Sequence, residues 1–231
     1  MELNIDPQFS VYKLVGRIGH TASLNHRRTM NVISNEIEDT TLVDGAPTRM
    51  FAAFQRYSRF LPQMARYREL AKRAESIYVF GIPDIDLPPI AGITYIPLKA
   101  TDRLAREWFM ISYGVEYASA LATEEQTDMT IIDPDRVFKG IWTFDTTLVS
   151  ILAEWLARSI NVEPLAIPAD RVDQTRHHLL INRVAGRMIH RLTSDSGLKM
   201  NTIVRQELRG IVKNVIQPYV TGALVNQLQA V

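Results

Sequence analysis

The chain contains no cysteine in 231 residues. That absence excludes disulfides, thiolate zinc sites, iron–sulfur clusters and cysteine nucleophiles together. It also excludes a bilin or c-type haem chromophore held by a covalent thioether. No apolar run approaches the ~20 residues of a membrane span. The opening residues, Met1-Glu2-Leu3-Asn4-Ile5-Asp6, have neither the basic nor the apolar region of a signal peptide. The formal charge is only +1, from 26 basic and 25 acidic side chains. No global field therefore draws the chain to nucleic acid or anionic lipid. These absences lead to the expectation of a soluble protein of a reducing cytoplasm, with no membrane span and no nucleic-acid partner.

Catalytic signatures are also missing. Neither Gly-x-Gly-x-x-Gly nor Gly-x-x-x-x-Gly-Lys-Ser/Thr occurs, so neither phosphate cradle is present. His-Glu-x-x-His and Gly-x-Ser-x-Gly are absent too. Of the five histidines, His177 and His178 are adjacent and would point about 100° apart on a helix. No metal site is expected, and the sequence implies no particular cofactor.

Apolar residues at 46% and charged residues at 22% are ordinary globular values. The charge is unevenly placed. Residues 1–164 carry 17 basic and 21 acidic side chains, a balance of −4, while residues 165–231 carry 9 and 4, a balance of +5. The step coincides with Pro164-Leu165-Ala166-Ile167-Pro168, an extended connection. The expected organisation is an α/β domain over residues 1–163 followed by a helical C-terminal extension over 164–231.

Helical spacing of Met30, Ile33 and Ile37 predicts a helix over 27–38, capped by Thr21 or Ser23. Runs at Met50–Phe54, Ile77–Phe80, Ile93–Ile96, Glu107–Tyr113 and Val137–Phe144 read as strands. Helices are expected near 62–74, over Ala118–Glu125, and over Thr146–Ile160 with Asp145 or Thr143 as cap. Ser10–Ile18 is a strand or a short helix. Strands alternating with helices predict a central, mostly parallel sheet flanked by helices. Residues 170–192 and 200–215 read as two further helices, with a last helical stretch after Pro218.

Several places could bind something. Gln55, Arg56 and Arg59 follow the strand Met50–Phe54, with Arg66 and Tyr67 on the next helix. Arginine forks pair with anions bidentately and stack on rings, so this cluster suits a phosphate, a carboxylate or an acidic partner loop. The alternative is a solvated or internally paired face. Asp84 follows a strand, where open α/β sheets place ligands; turn chemistry is its plain explanation. Trp142 and Asp145 could line a pocket, or be a sheet residue and a helix cap. Arg176, Arg183, Arg187 and Arg191 form one ridge along a helix, fit for an acidic partner or for solvent.

Residues from about 10 to 160 resemble the DICT domain. The resemblance is carried by Arg27-Arg28-Thr29-Met30, Ser34-Asn35-Glu36-Ile37-Glu38, Phe54-Gln55-Arg56, Arg66-Tyr67-Arg68, Tyr78-Val79-Phe80-Gly81, Arg106-Glu107-Trp108 and Gly140-Ile141-Trp142-Thr143-Phe144-Asp145. It implies a sensory input module of the kind found mainly in cyanobacteria, often joined to cyclase, kinase or DNA-binding domains, with a suggested part in light response. It implies no catalytic motif. No output domain is recognisable here, so a free-standing sensor would signal through a separate protein. The expected function is therefore a non-catalytic sensory or regulatory protein with a protein partner, or a homodimer formed through the C-terminal helices. A structural protein docking on a larger complex and a nucleotide- or phosphate-handling enzyme are the alternatives.

Overall fold

The computed structural model describes residues 5–16, 22–127, 136–193 and 202–220. Seven strands form one sheet: β1 (Ser23–His26), β2 (Arg49–Arg56), β3 (Ser76–Ile82), β4 (Ile93–Pro97), β5 (Glu107–Tyr113), β6 (Ala118–Glu125) and β7 (Val137–Thr143). Their spatial order is β1-β7-β6-β5-β2-β3-β4. Only β2, β3 and β4 run parallel to one another. The other four pairings are antiparallel. The sheet is thus mixed and mostly antiparallel, which corrects the expectation of a mostly parallel one.

The correction has a physical source in residues 118–125, expected as helix and found as β6. Alanine, leucine and glutamate favour helix. Here Ala118, Ala120 and Ala122 belong to the apolar layer beneath α5 (Thr146–Ser159), where small side chains let a helix lie close to the sheet. Tertiary packing outweighs propensity. With a strand in that place, β5 and β6 are joined by a tight turn, and a tight turn enforces antiparallel pairing. The Gly114 N–H donates to the Tyr117 carbonyl at 2.9 Å. A Cβ on Gly114 would fall 2.5 Å from the Pro47 carbonyl oxygen, so only glycine fits.

The remaining helices are α1 (Val11–Gly16), α2 (Arg27–Leu42), α3 (Tyr57–Phe60), α4 (Met64–Leu70), α6 (Gln174–Thr193) and α7 (Thr202–Ile211), the last continuing as a wider turn over Val212–Ile216. Ser23 lies in β1 rather than capping α2, and Thr21 is outside the described residues, as is the stretch expected beyond residue 220. The start of α2 is instead approached from a distance. Glu207 of α7 accepts the His26 N–H and the Thr29 hydroxyl. A carboxylate at a helix N-terminus also meets the positive end of the helix dipole.

Period-two alternation divides the buried residues between the two faces of the sheet. Met50, Ala52, Met110, Leu121 and Trp142 share a cluster with Met30, Ile33 and Ile37 of α2. Leu180, Ile181, Val184 and Met188 of α6 and Val204, Leu208 and Ile211 of α7 belong to that same cluster. Phe51, Ala53, Phe109, Ile111 and Ile141 face the other way, toward Val11 and Val15 of α1 and Leu148 and Leu152 of α5. Each buried Met, Ile, Leu, Val or Phe among them contributes about 1.5–3 kcal/mol. The helices after residue 164 therefore complete one hydrophobic layer rather than trailing from it.

Candidate functional site

The site grows from an irregularity in β2. The register with β3 shifts between Ala53 and Arg56, and Gln55 has φ +64°. A non-glycine residue in the left-handed region costs on the order of 1–3 kcal/mol and persists only when its surroundings hold it. In a regular strand Phe54 and Gln55 would face opposite sides. Here the bulge turns both toward one cavity.

Gln55 is buried and fully engaged. Its Nε2 donates to the Arg106 carbonyl at 3.1 Å and to Glu125 Oε2 at 2.8 Å. Its Oε1 accepts from Arg59 and from Arg136. Arg136 in turn donates from Nε to Glu125 Oε1 at 2.7 Å and from Nη2 to Glu125 Oε2 at 2.8 Å, and its guanidinium sits 5.0 Å from the centre of the Phe138 ring. Both ions are almost wholly buried, with Arg136 and Glu125 each 1% exposed. Burial alone would push the Glu125 carboxyl up. The hydrogen bonds and charge of Arg136, with Gln55, outweigh it and hold the carboxyl below the ordinary carboxylate value.

This network forms one wall of a cavity of about 180 Å³. Phe54, Trp108 and Met110 of the adjacent strands β2 and β5 make its floor, and Asn31, Ser34, Asn35 and Glu38 of α2 its roof. Arg27, Arg59, Gln63 and Arg136 complete the lining. Trp108 is fixed in place: its indole N–H donates to Ser34 Oγ at 3.2 Å, and it meets Phe138 edge to face at 5.3 Å. At Glu38 burial pushes the carboxyl up, and the Arg66 ion pair does not fully offset it.

The residues singled out from the sequence fall into separate places. Gln55 and Arg59 line the cavity. Arg66 and Tyr67 stand behind its roof: Arg66 is paired with Glu38 and, at 2.7 Å, with Asp39. Tyr67 packs edge to face on Phe54 and Phe60. Arg56 and Asp84 lie apart from the cavity, 4.0 Å from each other, where Asp84 accepts the Ser58 N–H at 3.0 Å and the Ser58 hydroxyl at 2.6 Å. Trp142 donates to Ser119 Oγ at 2.8 Å and borders a different hollow shared with Tyr219. Asp145 caps α5 through the Thr147 and Leu148 N–H groups.

The arginine ridge of α6 meets carboxylates of the same chain. Arg187 and Arg191 reach the buried Glu36 of α2 at 2.6 and 2.7 Å. Arg187 and Arg183 reach Asp44 at 2.8 and 3.2 Å, and Arg176 reaches Glu116 at 3.2 Å. The positive segment thus docks on the negative one. Among the described residues no group of three or more His, Asp or Glu side chains could hold a metal ion, and no helix is long and apolar enough to cross a membrane.

Sequence reasoning missed Arg136 and Trp108 as cavity residues, and Glu125 as the buried carboxylate that holds Arg136. Arg136 precedes the run Val137–Phe144 and was not singled out, while Glu125 stood at the end of the helix expected over Ala118–Glu125. Only Trp108 had a signal, as part of the stretch Arg106-Glu107-Trp108. The sequence model of DICT, a sensory domain in diguanylate cyclases and two-component systems, matches residues 9–126. The chain belongs to the DICT family. Its DICT region contains every residue lining the cavity except Arg136. No curated protein and no solved structure matches the chain. DICT domains are sensory domains of signalling proteins, and in this one the conspicuous polar cavity lies inside the matched region.

Proposed function

We propose that this DICT chain is a non-catalytic sensor: a small molecule enters the cavity beside Gln55, and the change passes through the C-terminal helices to a separate signalling partner. The observation that carries this reading is the placement of α2. One side of that helix roofs the cavity with Asn31, Ser34, Asn35 and Glu38. Other positions on the same helix hold the C-terminal helices, Glu36 through Arg187 and Arg191 of α6, and Thr29 through Glu207 of α7. A ligand that shifts α2 must act on both clamps. A ligand with different affinity for two positions of α2 would move their populations by that difference.

The cavity is smaller than the ~300–1,000 Å³ of pockets for drug-sized ligands, which supports a metabolite rather than a pigment. A link to light would then run through a light-dependent metabolite. Catalysis is not part of this reading, since Glu125 is locked between Arg136 and Gln55 and does not line the cavity. Native mass spectrometry of the chain purified from its own host tests the proposal. A bound small molecule is expected, lost in the Arg59→Met variant, with partner capture changing when the ligand is removed. A ligand-free chain with unchanged partner affinity across growth conditions overturns it.

A further inference from the structure

We propose that the cavity takes a nucleobase, free or carried on a nucleoside, packed on the aromatic floor and read along its edge by side-chain amides. This deepens the reading of the cavity as the input site and rests on it. The charged groups of the lining are already engaged within the chain. Arg136 is paired with both oxygens of Glu125, Arg59 donates to Gln55, Glu38 is taken by Arg66, and Arg27 is not free either. What the lining leaves unclaimed is amide. Asn31 and Asn35 lie four apart on one face of α2, and Gln63 closes the turn Leu61–Gln63 before α4. All three are half-buried. Among the described residues their side chains make no hydrogen bond; Asn35 offers only its backbone carbonyl, to Arg66 at 3.2 Å.

Each amide presents an N–H donor beside a carbonyl acceptor. The matching surface is a flat ring whose edge sets an acceptor beside a donor, as adenine sets N7 beside its N6 amine. A carboxylate offers acceptors alone and leaves the amide carbonyls unpaired. A hydrocarbon ring leaves both groups unpaired, and covering a polar group without pairing it is costly. Shape and size agree. Phe54 and Trp108 of β2 and β5 form the floor, and the indole is held by Ser34 and Phe138. Every base has a π-face that packs on aromatic side chains. The volume is about 180 Å³, and an apolar cavity of about 150 Å³ holds benzene. One base fits and a dinucleotide does not.

Calorimetric titration of the full chain with adenine, cytosine, uracil and indole tests the assignment. Indole is flat and of base size, but its edge carries no acceptor. At least one base is expected to bind about tenfold or more tighter than indole. Asn35→Leu should weaken that base by about tenfold and leave indole within about twofold, whereas Trp108→Leu should weaken both. Melting curves report whether each variant is folded; where Asn35→Leu is not, Gln63→Leu gives the same readout. Adenosine run beside adenine separates the two sources: the tighter of them marks the ligand as nucleoside or free base, and either upholds the proposal. Indole binding as tightly as every base, or no binding of any base or of adenosine, overturns the nucleobase assignment. A co-purifying compound without a nitrogen heterocycle overturns it too, yet upholds the cavity as an input site. A base bound with hydrogen exchange in α6 and partner affinity both unchanged upholds the site and overturns the sensory reading.

Discussion

Glu125 and Glu107 stand at the same end of adjacent strands and on opposite faces of the sheet. Glu107 pairs with Glu124 across the β5–β6 ladder, one residue from Glu125. Both are buried. Glu125 has a guanidinium on both oxygens and is held below its ordinary pKa. Glu107, beneath α1, has no cation among the causes of its shift. Burial pushes it up to about 8, against hydrogen bonds from Ser10 and the Tyr12 and Val11 N–H groups, with Glu124 pushing the same way. Its Oε1 has no hydrogen-bond partner among the described residues. The lesson is that depth alone does not set the protonation state of a buried carboxyl. The partner does.

The most severe way to break this contrast is to make Glu125 resemble Glu107. Arg136→Met leaves a buried carboxylate without its cation and should cost about 3–5 kcal/mol by denaturant unfolding. Adding Glu125→Leu should restore much of that loss, and a double variant no more stable than Arg136→Met would show that the pair itself was not the cause. Next in size is Glu107→Gln. Between the ordinary carboxyl value of 4.5 and about 8 the folded state keeps a proton on Glu107 that the unfolded state has released. Stability from this group therefore falls as pH rises through that window and levels above it. The variant should match the parent near pH 4 and exceed it by roughly 1–4 kcal/mol near pH 9, read as melting temperature against pH. Parallel profiles for the two proteins would remove Glu107 from the account. Glu125 acts with the opposite sign, and its contribution is lost only as pH falls below the ordinary carboxyl range. The smallest effect belongs to the exposed Glu69–Lys72 pair, 2.6 Å apart on the surface. Glu69→Ala should change stability by less than about 0.5 kcal/mol; a larger change would mean that exposure does not discount an ion pair here as it should.

The same contrast explains what could be read in the amino-acid sequence. Strand β5 was legible to the residue, because Glu107–Tyr113 is a bounded apolar run. Gln55 and Arg59 were legible as a cluster at a strand end. Strand β6 was not, because its alanines answer to the helix above them rather than to their own preference. Arg136 was not, because a charged residue is buried only when a distant partner accepts it, and Glu125 and Gln55 are brought there by the fold. The inward turn of the arginine ridge was not legible either, because in sequence the ridge suited an acidic partner or solvent, and Glu36 meets it only once α2 and α6 lie together.

The position of β7 has a consequence for the order of events in folding. The DICT match ends at residue 126, yet β1, which lies inside it, pairs with β7, which lies outside, as in Ser23 with Gly140. During synthesis at about 5–20 residues per second, β1 waits on the order of ten seconds for its partner to exist. A fragment cut where the family match stops would keep β1 and β6 with the strand between them missing, and two open edges in its place. The nascent chain passes through that same state, so until β7 emerges the edges of β1 and β6 are open to association with other chains.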